Sequence, residues 1–266
     1  MTPEEKQMLD LMIKGRNEHG ILAVKAEFEA EGTRTDELLR LLDIARRAGV
    51  KIGIKIGGCE AIRDLIECRQ FGADYIIAPM VETPYALKKY IDAKNKCYSA
   101  QEQEDVNFLF NVETHSTTSY LEELGERAQE GNVGMVFGRV DFAGSMGKDR
   151  GIINTPEMGD HVTKVAKVAK QRNLDLVVGG GVSPEGIDAL RDIRKTKLDR
   201  FETRKVIFDA AVLDGPNAAD GMETAIEFEL LWLQNKRNYY QTIASEDATR
   251  IEMMEIRQAG KSKLAA

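Results

Sequence analysis

Phe108-Leu-Phe-Asn-Val-Glu113 and Gly134-Met-Val-Phe-Gly-Arg-Val-Asp141 are two short apolar segments, and each ends in a carboxylate. Their β-branched and aromatic residues are typical of buried strands. In a barrel of parallel strands, the carboxyl ends of the strands form the active-site face. Two carboxylates at neighbouring strand ends could share one hard divalent cation, with water and substrate oxygens completing its shell. The alternative is that both are strand-end acids that face solvent.

Amphipathic helical patterns alternate with short apolar runs along the chain. Strands are predicted near residues 22, 51, 75, 108, 135, 175 and 206, and cap-and-proline pairs such as Thr83-Pro84 and Thr155-Pro156 begin helices between them. This alternation requires parallel strands, and in 266 residues it predicts an α/β fold of the TIM-type (β/α)8 barrel class with additional C-terminal helices. Because only seven strands are evident, we expect the eighth to be atypical or missing. A doubly wound sheet is the alternative, although no G-x-G-x-x-G follows the first strand.

The length of the chain suits one barrel domain over residues 1–266. We expect an N-terminal helix in residues 1–20, the barrel in residues 21–215 and a C-terminal helical extension in residues 220–266. The extension is predicted to contain two helices, at 222–242 and 246–258.

The first of these C-terminal helices is apolar around more of its circumference than packing on its own barrel requires. Its large side chains include Met222, Ile226, Phe228, Leu230 and Trp232. A neighbouring subunit is the simplest partner for the second apolar face, so we expect a homo-oligomer with Trp232 buried close to the interface. The alternative is that this helix is covered by residues 246–258 of its own chain.

The composition restricts the possible partners. Charged residues make up 30% of the chain and the formal net charge is −7. Phosphate binding needs a basic face, so nucleic acid and anionic membrane surfaces are poor candidates. No apolar run approaches membrane-spanning length, and the N-terminal segment Met1–Lys6 lacks the pattern of a signal peptide. The sequence therefore predicts a cytoplasmic protein with small-molecule partners, and its three cysteines, without CxxC spacing, indicate neither a disulfide framework nor a zinc site.

Three motifs resemble the HpcH/HpaI aldolase and citrate lyase beta-subunit family of the phosphoenolpyruvate/pyruvate barrel superfamily. They are Val112-Glu113-Thr114, Phe137–Gly147 and Tyr75–Val81. In that family an "(I/V)-E-T" strand end and a "G-x-x-D-(L/F)" strand end carry the metal-binding Glu and Asp. The resemblance therefore implies that Glu113 and Asp141 hold the metal, and all-oxygen ligation indicates Mg²⁺ or Mn²⁺.

The resemblance also implies a reaction. The family forms or cleaves a carbon–carbon bond between an aldehyde and the enolate of pyruvate or a related 2-oxo acid, and the cation acts as a Lewis acid that stabilises the enolate. Two alternatives stay open. One is a lyase acting on a CoA thioester of the citryl- or malyl-CoA type, although no basic stripe suited to the CoA phosphates is evident. The other is a non-catalytic barrel used for binding.

The sequence departs from the family pattern at two places. The family Arg that binds the keto oxygen is replaced by Lys55, which supplies a point charge where Arg supplies a rigid fork. Lys55 could polarise the oxygen or form a Schiff base. The family's "D-x-E-H" motif aligns with Glu27-Phe-Glu29-Ala30, so its proton-transferring His is absent. Glu29, Glu27 and His115 remain as candidates for that proton transfer.

Two further elements are candidates for substrate binding. Gly179-Gly180-Gly181-Val-Ser183 follows a predicted strand and precedes a helix, where backbone N–H groups and the helix dipole can bind a carboxylate or phosphate. The alternative is a tight turn with Ser183 as a helix cap. Arg34 follows the strand that carries Glu29 and is placed to meet a substrate carboxylate. Arg204 directly precedes the last predicted strand, so we expect it on the opposite face of the barrel, in a structural role.

Overall fold

The computed structural model describes the backbone of residues 1–264 and the side chains of residues 1–259. Within that range, eight strands close into one barrel in sequence order. The strands are β1 (Ile21–Glu27), β2 (Lys51–Lys55), β3 (Tyr75–Ala78), β4 (Asn107–Val112), β5 (Gly134–Gly138), β6 (Leu176–Gly179), β7 (Arg200–Glu202) and β8 (Val206–Asp209). The predicted TIM-type barrel is therefore confirmed.

Helices surround the barrel. They are α1 (Pro3–Glu18), α2 (Thr35–Ala48), α3 (Ile62–Phe71), α4 (Pro84–Cys97), α5 (Ala100–Gln103), α6 (Leu121–Gly131), α7 (Arg139–Ser145), α8 (Pro156–Gln171), α9 (Ile187–Arg194) and α10 (Ala218–Leu264). Short helical turns span His115–Tyr120, Arg150–Ile152, Pro184–Gly186 and Ala210–Asp214. The main apolar core lies between the barrel and this helical layer.

The atypical strand is β8. Strands β1 to β7 pair in parallel, whereas β8 runs antiparallel to both β7 and β1. A tight turn joins β7 to β8, in which the Thr203 N–H donates to the Val206 carbonyl at 2.9 Å. Because the turn reverses the chain, β8 begins at the carboxyl-end face of the barrel. Arg204 therefore lies on the same face as Glu113, and its predicted place on the opposite face is wrong.

The C-terminal extension is one continuous helix, so the prediction of two helices is wrong. No glycine or proline interrupts residues 241–248, and nothing in that stretch forces a break. Its first part packs on α1, and Trp232 is only 4% exposed. From residue 241 to residue 259 every side chain is exposed. Residues 246–258 therefore do not fold back over the first part of the helix.

Among the residues that the structure describes, no helix has both the length and the apolar character needed to span a bilayer.

Candidate active site

The interior of the barrel is apolar in its middle and polar at its carboxyl-end mouth. Strand residues alternate between the interior and the helical layer. Ala23 and Leu109 lie in the apolar interior cluster. The same alternation carries Lys25 on β1, and Asn111 and then Glu113 on and after β4, into the mouth, where all three side chains are buried. The polar residues at the mouth therefore follow from the period-two pattern of these strands.

Glu113 is the most enclosed acid of the mouth, with 1% exposure. The Met80 N–H donates to its Oε1 at 2.8 Å, and Asn111 Nδ2 donates to its Oε2 at 2.6 Å. Burial raises the pKa of Glu113, although Lys55 and these two hydrogen bonds oppose the rise. The negative charge of Asp141 adds to it. The structure thus holds Glu113 in a fixed orientation in a place that disfavours its charged form.

Lys55 lies between two carboxylates. Its Nζ is 2.8 Å from Glu29 Oε2 and 3.5 Å from Glu113 Oε2. Burial alone would lower the pKa of Lys55, but Glu113 and Glu29 outweigh it and raise that pKa. Glu27, which pairs with Lys55 in the β1–β2 register, acts in the same direction. Lys55 is therefore held as a cation at the barrel mouth. Of the other predicted catalytic residues, Glu29 is the one that the structure places in contact with Lys55.

Asp141 lies in the first turn of α7 and not at the end of a strand. β5 ends at Gly138, three residues earlier than the apolar pattern predicts. Asp141 is exposed, yet its charge contributes to the raised pKa of Glu113. The predicted strand end at Asp141 is wrong, but the two carboxylates lie within electrostatic range of each other.

The donor set at Glu113 and Asp141 suits a hard cation. In the described part of the chain, no group of three or more His, Cys, Asp or Glu side chains is close enough to hold a metal ion. Mg²⁺ and Mn²⁺ commonly take only one or two carboxylates and complete their shell with water and substrate oxygens. Burial raises the pKa of Glu113 and the negative charge of Asp141 adds to the rise, and a bound cation would oppose both effects by favouring the ionised carboxylate. The residues present therefore fit such an ion.

Two predicted site residues are engaged elsewhere. The exposed Arg34 guanidinium lies 4.8 Å above the ring of Tyr240 on α10. The His115 ring lies against Phe142 and His161, with centroid distances of 6.1 Å and 5.9 Å. The backbone N–H of His115 donates to Ser145 Oγ. Substrate binding by Arg34 and proton transfer by His115 stay predictions that these contacts do not support.

The glycines after β6 take part in close packing. A Cβ on Gly180 would lie 2.7 Å from the backbone nitrogen of Val140 and 2.8 Å from that of Arg139, and a Cβ on Gly181 would lie 2.4 Å from a side-chain atom of the loop before α8. Ser183 precedes its helical turn without a side-chain capping hydrogen bond. Anion binding by Gly180, Gly181 and Ser183 stays a prediction, because Gly180 packs against the start of α7 and Gly181 packs against the loop before α8.

Three residues of the mouth were not predicted from the sequence: Lys25, Asn111 and Glu202. Lys25 Nζ lies 2.5 Å from Glu202 Oε1 and 3.6 Å from Glu27 Oε1. Burial would lower the pKa of Lys25, but Glu202 and Glu27 outweigh it and raise that pKa. The alternation along β1 and β4 could have indicated Lys25 and Asn111. Glu202 gave no such signal, because β7 contains only three residues.

Arg139 follows the end of β5 and links it to the end of β6 beside the barrel mouth. The guanidinium is buried and donates from Nε to the Gly179 carbonyl at 3.2 Å, and from Nη1 to the Ile153 carbonyl at 3.3 Å and to Asn154 Oδ1 at 3.0 Å. Burial lowers the pKa of Arg139 to about 10. These bonds fix the turn from β5 into α7, which carries Asp141.

No protein-family model matches this sequence, and no curated protein matches it. Solved structures do match. An HpcH/HpaI aldolase from Desulfitobacterium hafniense DCB-2 has 14% identity and a TM-score of 0.57, over 82% of this chain and 88% of that one. An HpcH/HpaI aldolase/citrate lyase family protein from Burkholderia cenocepacia J2315 has 14% identity and a TM-score of 0.60, over 90% of each chain.

The barrel has the HpcH/HpaI aldolase fold. These two structures support the resemblance that the motifs around Glu113 and Asp141 indicate. The same fold also matches orotidine 5'-phosphate decarboxylase from Pyrococcus horikoshii OT3, with 13% identity and a TM-score of 0.50, over 86% of this chain and 95% of that one. One architecture therefore accommodates different chemistries, and the residues at the mouth must decide between them.

Proposed function

We propose that this chain is a divalent-metal-dependent carbon–carbon lyase of the aldolase type, acting between pyruvate or a related 2-oxo acid and an aldehyde. The observation that carries the proposal is the buried, oriented carboxylate of Glu113, with the Lys55 ammonium 3.5 Å away and Asp141 within electrostatic range. The likeness in fold to HpcH/HpaI aldolases supports it.

In this proposal Glu113 and Asp141 hold Mg²⁺ or Mn²⁺, which supplies Lewis-acid stabilisation of an enolate oxygen when bound. Lys55 contributes a second positive charge for the keto oxygen of the substrate. A Schiff base requires a neutral amine, and the raised pKa of Lys55 disfavours that form. An electrostatic role for Lys55 is therefore favoured over a covalent one, with Glu29 holding the ammonium in place.

The buried charges also argue for catalysis over a purely binding barrel. Removing several charged groups from water costs stability, and apolar residues of similar volume are often at least as stabilising as a buried ion pair. Lys25, Lys55, Glu113 and Glu202 are each at most 9% exposed. Stability alone does not account for these charges, whereas an enolate-forming site needs fixed charges.

The direct test is pyruvate release from a 4-hydroxy-2-oxo acid. With Mg²⁺ or Mn²⁺ the chain is expected to release pyruvate, and excess EDTA or Asp141→Asn is expected to lower the rate by about 10²–10³-fold, the loss typical of removing a group that stabilises transition-state charge. Borohydride with pyruvate is expected to leave the peptide containing Lys55 at its original mass. Asp160→Asn, which changes an exposed aspartate on α8, is the matched control and should retain the wild-type rate.

Each contradictory outcome of this test has a distinct meaning. An unchanged rate in EDTA would refute metal dependence. A mass increase on the Lys55 peptide would move the enzyme to the Schiff-base class. Release from a malyl- or citryl-CoA thioester, but from no free hydroxy acid, would replace the proposal with the CoA-thioester lyase.

We also propose that the protein is a homo-oligomer whose subunits meet through α10. Trp232 and Phe228 are buried in the chain's own core. Ile226, Leu230 and Leu233 form a second stripe at helical spacing and are 52%, 54% and 52% exposed. Exposed apolar stripes of this kind usually mark an interface. The interface is therefore expected on this stripe, and Trp232 itself is already covered within the chain.

Light scattering at micromolar concentration is expected to give at least twice the 29.7 kDa chain mass. Leu230→Glu combined with Leu233→Glu keeps the length of the chain but places two charges in the stripe, so it is expected to shift the protein to monomer while the barrel stays folded. Lys167→Glu on α8, an exposed position away from α10, is the charge-changing control. A wild-type monomer would contradict the proposal, and an intact oligomer in the double variant would place the contact elsewhere.

A further inference from the structure

A second buried carboxylate, Glu202, lies across the barrel mouth from Glu113. The β5–β6 register pairs Gly138 with Gly179, while the registers on either side place Glu113 beside Gly138 and Glu202 beside Gly179. A Cβ on Gly138 would lie 2.9 Å from Glu113 Oε2, and a Cβ on Gly179 would lie 3.2 Å from Glu202 Oε1. Each carboxylate therefore lies beside a glycine, and at this level β5 and β6 place no side chain between the two carboxylates.

One oxygen of Glu202 has no partner. Oε1 accepts from Lys25 Nζ at 2.5 Å, whereas Oε2 is inaccessible to solvent and has no hydrogen-bond donor among the described residues. Asn111 Oδ1, in the same polar layer, is also buried and also lacks a hydrogen-bond donor among the described residues. A buried acceptor left without a donor costs about 1–3 kcal/mol. Because both atoms are acceptors, the group that completes this layer must bring hydrogen-bond donors or transferable protons.

Lys25 holds Glu202 in place from the far side. Lys25 contacts both Glu202 and Glu27, and both carboxylates keep it protonated. Its ammonium therefore fixes Oε1 of Glu202, whereas Oε2 has no hydrogen-bond partner among the described residues. A fixed carboxylate with one free oxygen is the arrangement that a general base requires.

Resting on the lyase function proposed above, we propose that Glu202 is the proton-transfer group of this site and that Lys25 is its positioning residue. In cleavage, Glu202 Oε2 takes the proton of the 4-hydroxyl group. The electron pair of that O–H bond forms the aldehyde carbonyl, and the electron pair of the breaking C3–C4 bond passes into the enolate of the 2-oxo acid. Protonated Glu202 then returns its proton to C3, which yields pyruvate and restores the carboxylate.

The same group acts on pyruvate alone. Glu202 removes a C3 proton, and the electron pair of that C–H bond passes into the enolate. The carboxylic acid formed on Glu202 exchanges its proton for a deuteron of the solvent, and that deuteron returns to C3. In D₂O this reversible step replaces the methyl hydrogens of pyruvate with deuterium, so proton NMR follows the proposed transfer without an aldehyde. Neither direction needs an oxidant, a reductant or any further reactant.

With Mg²⁺ in D₂O, the wild-type protein is expected to exchange the pyruvate methyl protons. Glu202→Gln is expected to slow this exchange by about 10²–10⁴-fold, the usual contribution of a general base, while the pyruvate concentration for half-maximal exchange stays similar. Asp175→Asn is the matched control, because Asp175 forms an ion pair with Arg200 at 2.8 Å near the other end of the barrel. This control is expected to exchange at the wild-type rate.

A second variant keeps the proposal testable where Glu202→Gln does not fold. Glu202→Asp retains the charge beside Lys25 but withdraws the carboxylate by one methylene, and it is expected to slow exchange by about 10²-fold. Exchange at the wild-type rate in either folded variant would overturn the role of Glu202 and leave the lyase proposal standing. A wild-type protein that neither exchanges pyruvate protons nor releases pyruvate would overturn the lyase proposal, and this inference with it.

Discussion

Glu113→Gln is expected to abolish activity and, in excess chelator at neutral pH, to raise the melting temperature. The variant loses a proposed metal ligand, so we expect the rate to fall by about 10²–10³-fold. The fold should accept the change. The Met80 N–H still finds an oxygen, and a rotated Asn111 amide can accept from the new NH₂ through Oδ1, which has no donor in the wild-type protein. Lys55 also keeps its ion pair with Glu29, in which Nζ lies 2.8 Å from Oε2.

The gain in stability follows from the raised pKa of Glu113. A carboxyl group whose pKa is higher in the folded state stabilises the fold fully below its unfolded pKa, and that stabilisation is lost as pH rises through the folded pKa. At neutral pH the ionised Glu113 therefore lowers the free energy of unfolding, and glutamine removes this penalty. We therefore expect the glutamine variant to have the higher melting temperature at neutral pH. The difference between the two proteins should shrink as pH is lowered through the folded pKa.

Scanning calorimetry at several pH values would measure this effect, with Glu113→Ala as the matched variant. Alanine leaves the Met80 N–H without its acceptor and opens a cavity, so it is expected to be both inactive and less stable than the wild type. A glutamine variant that keeps its activity would remove Glu113 from the mechanism. One that is less stable at neutral pH would show that the ionised carboxylate is well accommodated without a metal.

The sequence alone was sufficient to predict the barrel fold and the position of Glu113 at a strand end, since both depend on local patterns. Apolar runs alternating with amphipathic helices indicate a parallel barrel, and the alternation Leu109, Asn111, Glu113 places the acid in the mouth. The direction of β8 was not accessible in this way. β7 has three residues, too few for a recognisable period, and the turn at Thr203 that reverses the chain is defined by its contacts.

Long-range pairings decide the remaining site residues. Glu202 is held at the site by its contact with Lys25, whereas the Arg34 guanidinium lies over the ring of Tyr240 on α10. Each pair joins residues that are distant in the sequence, so no local pattern predicts it. The continuous α10 has a different cause. Its exposed half lacks an apolar stripe packed on the barrel, so periodicity gave no indication that the two predicted helices join into one.

Gly180→Ala is expected to lower the free energy of unfolding by about 2–4 kcal/mol, near the upper end of single substitutions. Gly180 has a φ of +80°, where a non-glycine residue costs about 1–2 kcal/mol. The new Cβ would also lie 2.7 Å and 2.8 Å from the backbone nitrogens of Val140 and Arg139, which are main-chain atoms that cannot rotate away. Relief of this contact must displace the first turn of α7, which carries Asp141.

Gly147→Ala separates the two contributions. Gly147 has a φ of +70°, but a Cβ there meets no atom within 4 Å, so only the left-handed backbone is penalised. Urea unfolding should therefore show a loss of about 1–2 kcal/mol for this control. Calorimetric titration with Mn²⁺ should show weaker binding in Gly180→Ala and unchanged binding in Gly147→Ala. Equal losses of stability and unchanged Mn²⁺ binding in both variants would mean that the seating of α7 on Gly180 does not position Asp141.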